Sequence, residues 1–152
     1  MKAKLNSLNL KKGNTIFLYG NWNGNEKLTV DFFIQEYTVH SIGKVRCYLL
    51  IDGDVNSKKS FNTDWQELNV ALTYEQAIND CKSYIPEYIK RENLVYNNRI
   101  ESNNKLEYNH RFVEQRKQYN DMIEGFIKNI NSAKNNIVIN PYSKIKGEII
   151  AL

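Results

Sequence analysis

With 152 residues, a net charge of +4, 41% apolar and 12% aromatic residues, the chain fits one domain with a sizeable core and is too apolar for disorder. Seven glycines and two prolines exclude collagen-like and low-complexity chains. No apolar run is long enough for a membrane helix, and the opening Met1-Lys2-Ala3-Lys4-Leu5-Asn6 lacks a secretory apolar stretch, so a cytoplasmic protein is the expectation.

Lys11-Lys12-Gly13-Asn14 is a turn feeding a strand over 15–19, and Asn21-Trp22-Asn23-Gly24-Asn25 is the loop of a hairpin. The next strand runs over 28–40. Its apolar set begins as Leu28, Val30, Phe32 and Ile34 and then changes parity to Tyr37 and Val39, which predicts a bulge near Gln35 and Glu36 that curls the strand around a small barrel. After the turn Ile42-Gly43-Lys44, Val45, Cys47, Leu49 and Ile51 alternate along a third strand. Asp52-Gly53 marks another turn, and the polar stretch through Asp64 reads as a loop.

From Thr73 the apolar spacing changes from two to three and four. In Leu72-Thr73-Tyr74-Glu75-Gln76-Ala77, Thr73 can cap a helix, Gln76 can complete the capping box and Leu72 can staple onto Ala77. Tyr74, Ala77, Ile78, Cys81, Ile85, Tyr88 and Ile89 form the stripe of this helix, which Pro86 kinks near 82–86. A second amphipathic helix over about 105–132 carries Phe112, Tyr119, Met122, Ile123, Phe126, Ile127 and Ile130. The segment 97–104, with Ile100 as its one apolar residue, is either the loop of an αα-hairpin or a solvated stretch of one long helix; the hairpin is preferred. Ile137-Val138-Ile139 and the run 145–152, separated by the turn Asn140-Pro141, return to the sheet edge. The reading is a single α+β domain over 1–152. Its β-rich half, 1–72, holds a small twisted antiparallel sheet or barrel over about 13–70, and its helical half, 73–152, holds two helices and short C-terminal strands.

Chemistry-bearing motifs are scarce. Asp52-Gly53-Asp54-Val55-Asn56-Ser57 offers oxygen ligands at the first, third and fifth places of a calcium loop, but Ser57 and Thr63 stand where glycine and a bidentate glutamate are needed, so a hairpin turn is expected. His40 and His110 have no second ligand at zinc spacing, and Cys47 and Cys81 fall on apolar faces where a buried thiol is inert. There is no Glu-x-Lys of a metal-dependent nuclease and no glycine-rich phosphate cradle. The expectation is a binding protein, without cofactor or metal, that works through a surface. Two surfaces stand out. Trp22, Trp65 and the helix around 111–119, with Arg111, Arg116 and Tyr119, supply the residue types that dominate protein interfaces. Lys44, Arg46 and Tyr48 share a strand face and place two cations beside a ring, the combination that binds single-stranded nucleic acid. The seam Phe112, Arg116, Tyr119, Ile123, Phe126 and Ile130 fits packing against the first helix better than a coiled-coil dimer, which leaves a monomer or weak homodimer.

Lys12-Gly13-Asn14-Thr15-Ile16, Glu36-Tyr37-Thr38-Val39-His40-Ser41-Ile42-Gly43 and Leu72-Thr73-Tyr74-Glu75-Gln76-Ala77 together resemble small proteins of phages and mobile elements of low-GC bacteria. In these a short β-barrel precedes a helix opening with a Leu-Thr-x-Glu-Glu-Ala pattern. The resemblance covers about the first 80 residues; Asn14 replaces the more usual aspartate and Gln76 the more usual glutamate. It implies an anti-CRISPR-type inhibitor that binds a host protein, such as a nuclease or ribonucleoprotein, and it transfers no site residues.

Overall fold

In the computed structural model, which describes residues 1–24, 29–64, 66–105, 112–132, 136–144 and 147–151, β2 (Thr15–Gly24) and β3 (Thr29–Ile42) form the long central hairpin. At residues 22–24, 29 and 30 the description is of the backbone. Before β2 come a two-residue strand β1 (Lys2–Ala3) and a 3-10 turn (Leu5–Leu8). After β3 follow β4 (Arg46–Ile51), β5 (Asp54–Asn62), β6 (Leu68–Ala71), α1 (Tyr74–Lys105), α2 (Val113–Asn131), β7 (Asn136–Ile139) and β8 (Ile149–Ala151). The strands make one mixed, open sheet in the order β1-β6-β2-β3-β4-β5, with β7 and β8 branching from β3.

The β2–β3 register runs unbroken from Thr15 opposite Thr38 to Gly24 opposite Thr29, so there is no bulge at Gln35 and Glu36. The change of parity has another cause. Phe32 and Ile34 lie on the face that carries the helices, with Phe17, Tyr19 and Ala71, whereas Tyr37 and Val39 lie in a second core on the opposite face, with Ile16, Leu18, Cys47, Leu49, Ile51 and Val70. Alternate residues of a strand point to opposite faces, so a strand buried on both faces shows both parities in turn. The irregularity that does exist lies one turn further on: Val39 faces Leu49 and Ser41 faces Tyr48, leaving His40 as the extra residue. The second core is closed from below by Leu5, which is fully buried in the 3-10 turn.

The expected strand over 15–19 extends to Gly24, and the expected loop over 54–62 is the edge strand β5. Asp52 and Gly53 both have positive φ, 55° and 66°, which is the type I′ geometry that joins two strands with right-handed twist. β5 hid from a hydrophobicity reading because an edge strand with a wet face keeps a polar, lysine-containing sequence. Its middle bulges: Lys59 faces Leu49 but Asp54 faces Ile51, and the Ser57 hydroxyl staples the excursion, accepting from the Ile51 N–H at 2.9 Å and lying 2.6 Å from the Ile51 and Asp54 carbonyls.

Thr73 caps α1 as expected. The Gln76 N–H donates to Thr73 Oγ1 at 3.2 Å, and Gln76 Oε1 accepts from the Leu72 N–H at 3.2 Å; Leu72 itself stays exposed, so no staple is buried. The helix continues through Pro86, which sits on its exposed side, and through 97–104 to Lys105. The expected loop over 97–104 is therefore helix. Its polar residues are matched to polar residues of α2: Asn103 donates to Asn120 and Asn120 to Asn104, both at 2.8 Å, while Asn93 donates to Asn131 at 2.7 Å and Tyr96 packs on Phe126. These pairings make α1 and α2 antiparallel. An α-helix of 32 residues is about 48 Å long, and its buried residues, Ala77, Cys81, Ile85 and Tyr88, all lie in its first half. Beyond Tyr88 the described side-chain hydrogen bonds and ring contacts that leave α1 are with α2, so the distal parts of both helices form an arm.

The C-terminal strands return to the sheet. β7 pairs parallel with β3, Phe32 opposite Ile137 and Ile34 opposite Ile139, and β8 pairs antiparallel with β7. The same edge of β3 thus serves β7 at one end and β4 at the other, and the sheet is mixed where a purely antiparallel one was expected. Two contacts fix this branch. Gln35, fully buried, accepts from the Tyr142 N–H at 3.0 Å and donates to the Glu36 carbonyl at 2.9 Å. A Cβ on Gly147 would stand 1.9 Å from the Ile139 carbonyl oxygen, so only glycine permits this approach. Among the described residues no helix is long and apolar enough to cross a membrane.

Candidate functional site

The helical arm carries a hollow of about 640 Å³ between the last turns of α1 and the first of α2. Asn98, Arg99, Ser102 and Asn103 line it from α1, and Phe112, Gln115, Arg116 and Tyr119 from the other side. Helical spacing explains the set: residues three and four apart share a face, so 98, 99, 102 and 103 form one wall and 112, 115, 116 and 119 the other. The described lining has two arginines and no carboxylate. Its rings are accessible, Phe112 at 45% and Tyr119 at 39%. Arg99 lies 5.1 Å over the Tyr96 ring. Of the expected interface residues, Arg116 and Tyr119 come together in this groove; the Trp22 side chain, Trp65 and Arg111 lie outside the described residues. Arg99 was missed because the loop expected over 97–104 gave it no face.

The second expected surface is rearranged. Arg46 and Tyr48 do share a face of β4, with Leu50, opposite the buried Cys47, Leu49 and Ile51. Lys44 is not on that row. It sits in the turn before β4, where its carbonyl accepts from Thr63 Oγ1 at 2.7 Å. The second cation beside the ring is Lys58 of β5, its ammonium 5.1 Å from the Tyr48 ring centroid. Lys58 was invisible to sequence reasoning for the same reason as β5 itself.

At the tip of the β4–β5 hairpin the calcium-like residues are bound by protein groups. Ser143 Oγ donates to the Asp52 carboxylate at 2.8 Å, the Lys144 N–H donates to it at 2.9 Å, and the Lys144 ammonium reaches Asp54 at 2.6 Å. Asp54 Oδ1 also accepts from the Asn56 N–H at 2.8 Å. The hydrogen bond from Lys144 is the main cause that holds the Asp54 carboxyl below its usual range. This corner ties the hairpin to the C-terminal branch.

The thiols lie in different cores, Cys47 on one side of the sheet and Cys81 on the other, and burial pushes them up to about 11 and about 12. Both are protonated at neutral pH, a state that is unreactive. His40 is half-buried in the β3 bulge, and His110 lies outside the described residues. No family model, no curated protein and no solved structure matches the chain.

Proposed function

We propose that this chain is a binding protein that inhibits a host defence factor, such as a CRISPR nuclease, by covering part of its surface with the groove of the helical arm. The observation that carries the reading is the groove itself: two aromatic rings and two arginines, without a described carboxylate, stand on an arm braced at its base against the sheet. Aromatic residues and arginine concentrate binding energy because they bury large area at low entropic cost and hydrogen-bond in fixed geometry. The identity of the partner rests on the resemblance to small phage and mobile-element proteins over the first 80 residues.

The test is affinity purification from the lysate of a low-GC bacterium carrying an active CRISPR system, after nuclease digestion. A host protein in near-stoichiometric amount is expected, together with slower target cleavage when the purified nuclease is assayed with this chain. The double variant Arg116→Ala, Tyr119→Ala should lose co-purification by tenfold or more, since truncating a hot spot costs about 2 kcal/mol or more. Recovery of nucleic acid alone would sink the reading.

A further inference from the structure

We propose that the Arg46, Tyr48 and Lys58 face of the β4–β5 hairpin is a binding strip for single-stranded nucleic acid. The helices pack on β2, β3 and β6; on the same side of β4, Leu50 is buried beside Thr38 of β3, Tyr48 is half-buried and Arg46 is exposed. On it stand Arg46, Tyr48, Ser60 and Lys58, brought together because Tyr48 pairs with Ser60 across the ladder and Arg46 with Asn62. Arg46, Lys58 and Ser60 are exposed, and Tyr48 is half-buried.

The charges of the hairpin are segregated. Its two acids, Asp52 and Asp54, are at the tip and are engaged by Ser143 and Lys144. Its cations on this face, Arg46 and Lys58, lie further along, with Lys44 in the preceding turn; Lys59 pairs with Leu49 and so belongs to the other face. The acid next to this end is Asp64, which accepts from the Asn6 amide at 2.8 Å. Among the described residues neither Arg46 nor Lys58 is in an ion pair with a carboxylate. A strip of cations around an accessible ring is complementary to a phosphate polymer whose bases are free to stack. Cations take the backbone, and the ring takes a base in place of, or beside, the Lys58 ammonium. A paired base offers no open face to Tyr48, so the occupant is a single strand rather than a duplex.

The strip is distinct from the groove of the arm, and each reading can fail alone. The experiment is fluorescence anisotropy with labelled oligothymidylate and oligouridylate across a potassium chloride titration, using the full chain. Binding that weakens with salt is expected. Arg46→Glu and Lys58→Glu should each cut affinity about tenfold and make the slope of log affinity against log salt shallower by about 0.7, the contribution of one neutralised phosphate on a single strand. Tyr48→Ala should lose about tenfold with the slope unchanged, and Tyr48→Phe should lose little, because stacking needs the ring and not the hydroxyl. Lys82→Glu, on the exposed side of α1, should bind as the parent does. Circular dichroism checks folding, and Arg46→Gln with Lys58→Gln replaces any charge reversal that unfolds. Absence of binding at low salt, equal affinity for a duplex, an equal loss with Lys82→Glu, or displacement by polyglutamate as readily as by oligonucleotide would each overturn the proposal.

Discussion

Gln35 is the residue whose role is least predictable from its neighbours and most definite in the fold. It is a fully buried amide among apolar strands, and every partner it has in the Asn140–Tyr142 corner lies more than a hundred positions away. Gln35→Leu keeps the volume but leaves the Tyr142 N–H without its acceptor. A loss of about 1–3 kcal/mol in urea denaturation is expected, and an unchanged midpoint would show that the corner satisfies itself. Burial also sets the chemistry of the thiols. Their ordinary value is 9.0, and the folded protein raises them to about 11 and about 12, as it raises Tyr37 to about 12 from 10.0. A group raised in this way binds its proton more tightly when folded. Its contribution to stability is therefore complete below the unfolded value and is lost as pH rises through the folded one. Thermal melts should hold up to about pH 9 and fall progressively above it. Over the same lower range a disulfide exchange reagent should label neither cysteine without denaturant.

At the scale of elements, the sequence was most legible where one local rule sufficed. The Thr73 cap and the Asp52-Gly53 turn follow from residues a few positions apart and are found, as is the alternation of Cys47, Leu49 and Ile51; Val45, expected on the same inward face, lies before β4 and is exposed. It failed where the deciding partner was remote. The parity change in β3 records two cores, and no short window can tell a second core from a bulge. β5 is a strand because β4 supplies its ladder, and 97–104 is helical because Asn120 of α2 meets Asn103 and Asn104. The same remoteness hid Lys58 and Arg99 from the candidate sites. Pro86 gives this scale its prediction. A proline inside a helix costs about 3 kcal/mol through the lost donor and the crowded carbonyl, and it returns up to about 1 kcal/mol by restricting the unfolded chain. Since Pro86 faces solvent, Pro86→Ala should stabilise the protein by about 2 kcal/mol in chemical denaturation. A loss of stability would mean that the proline's fixed backbone helps to seat Ile85 and Tyr88.

For the whole molecule, the sheet acts as a partition with one core on each side. Ile16 is fully buried on the side closed by Leu5, and Ile130 is fully buried under the helices. Each, changed to Ala, should cost about 2–5 kcal/mol, and because no side chain is shared the two losses should add within about 0.5 kcal/mol in a double-mutant cycle. A larger coupling would show that the partition transmits strain between its sides. The branch on β3 bears on how such a molecule assembles. Phe32–Ile34 must wait for Ile137–Ile139, some hundred positions later in the chain, and until that strand arrives a row of backbone donors and acceptors beside apolar side chains stays open to any passing strand. That late strand is thus the latch on the sheet, and its tardiness sets a window in which crowded or overexpressed chains would stick to one another rather than finish folding.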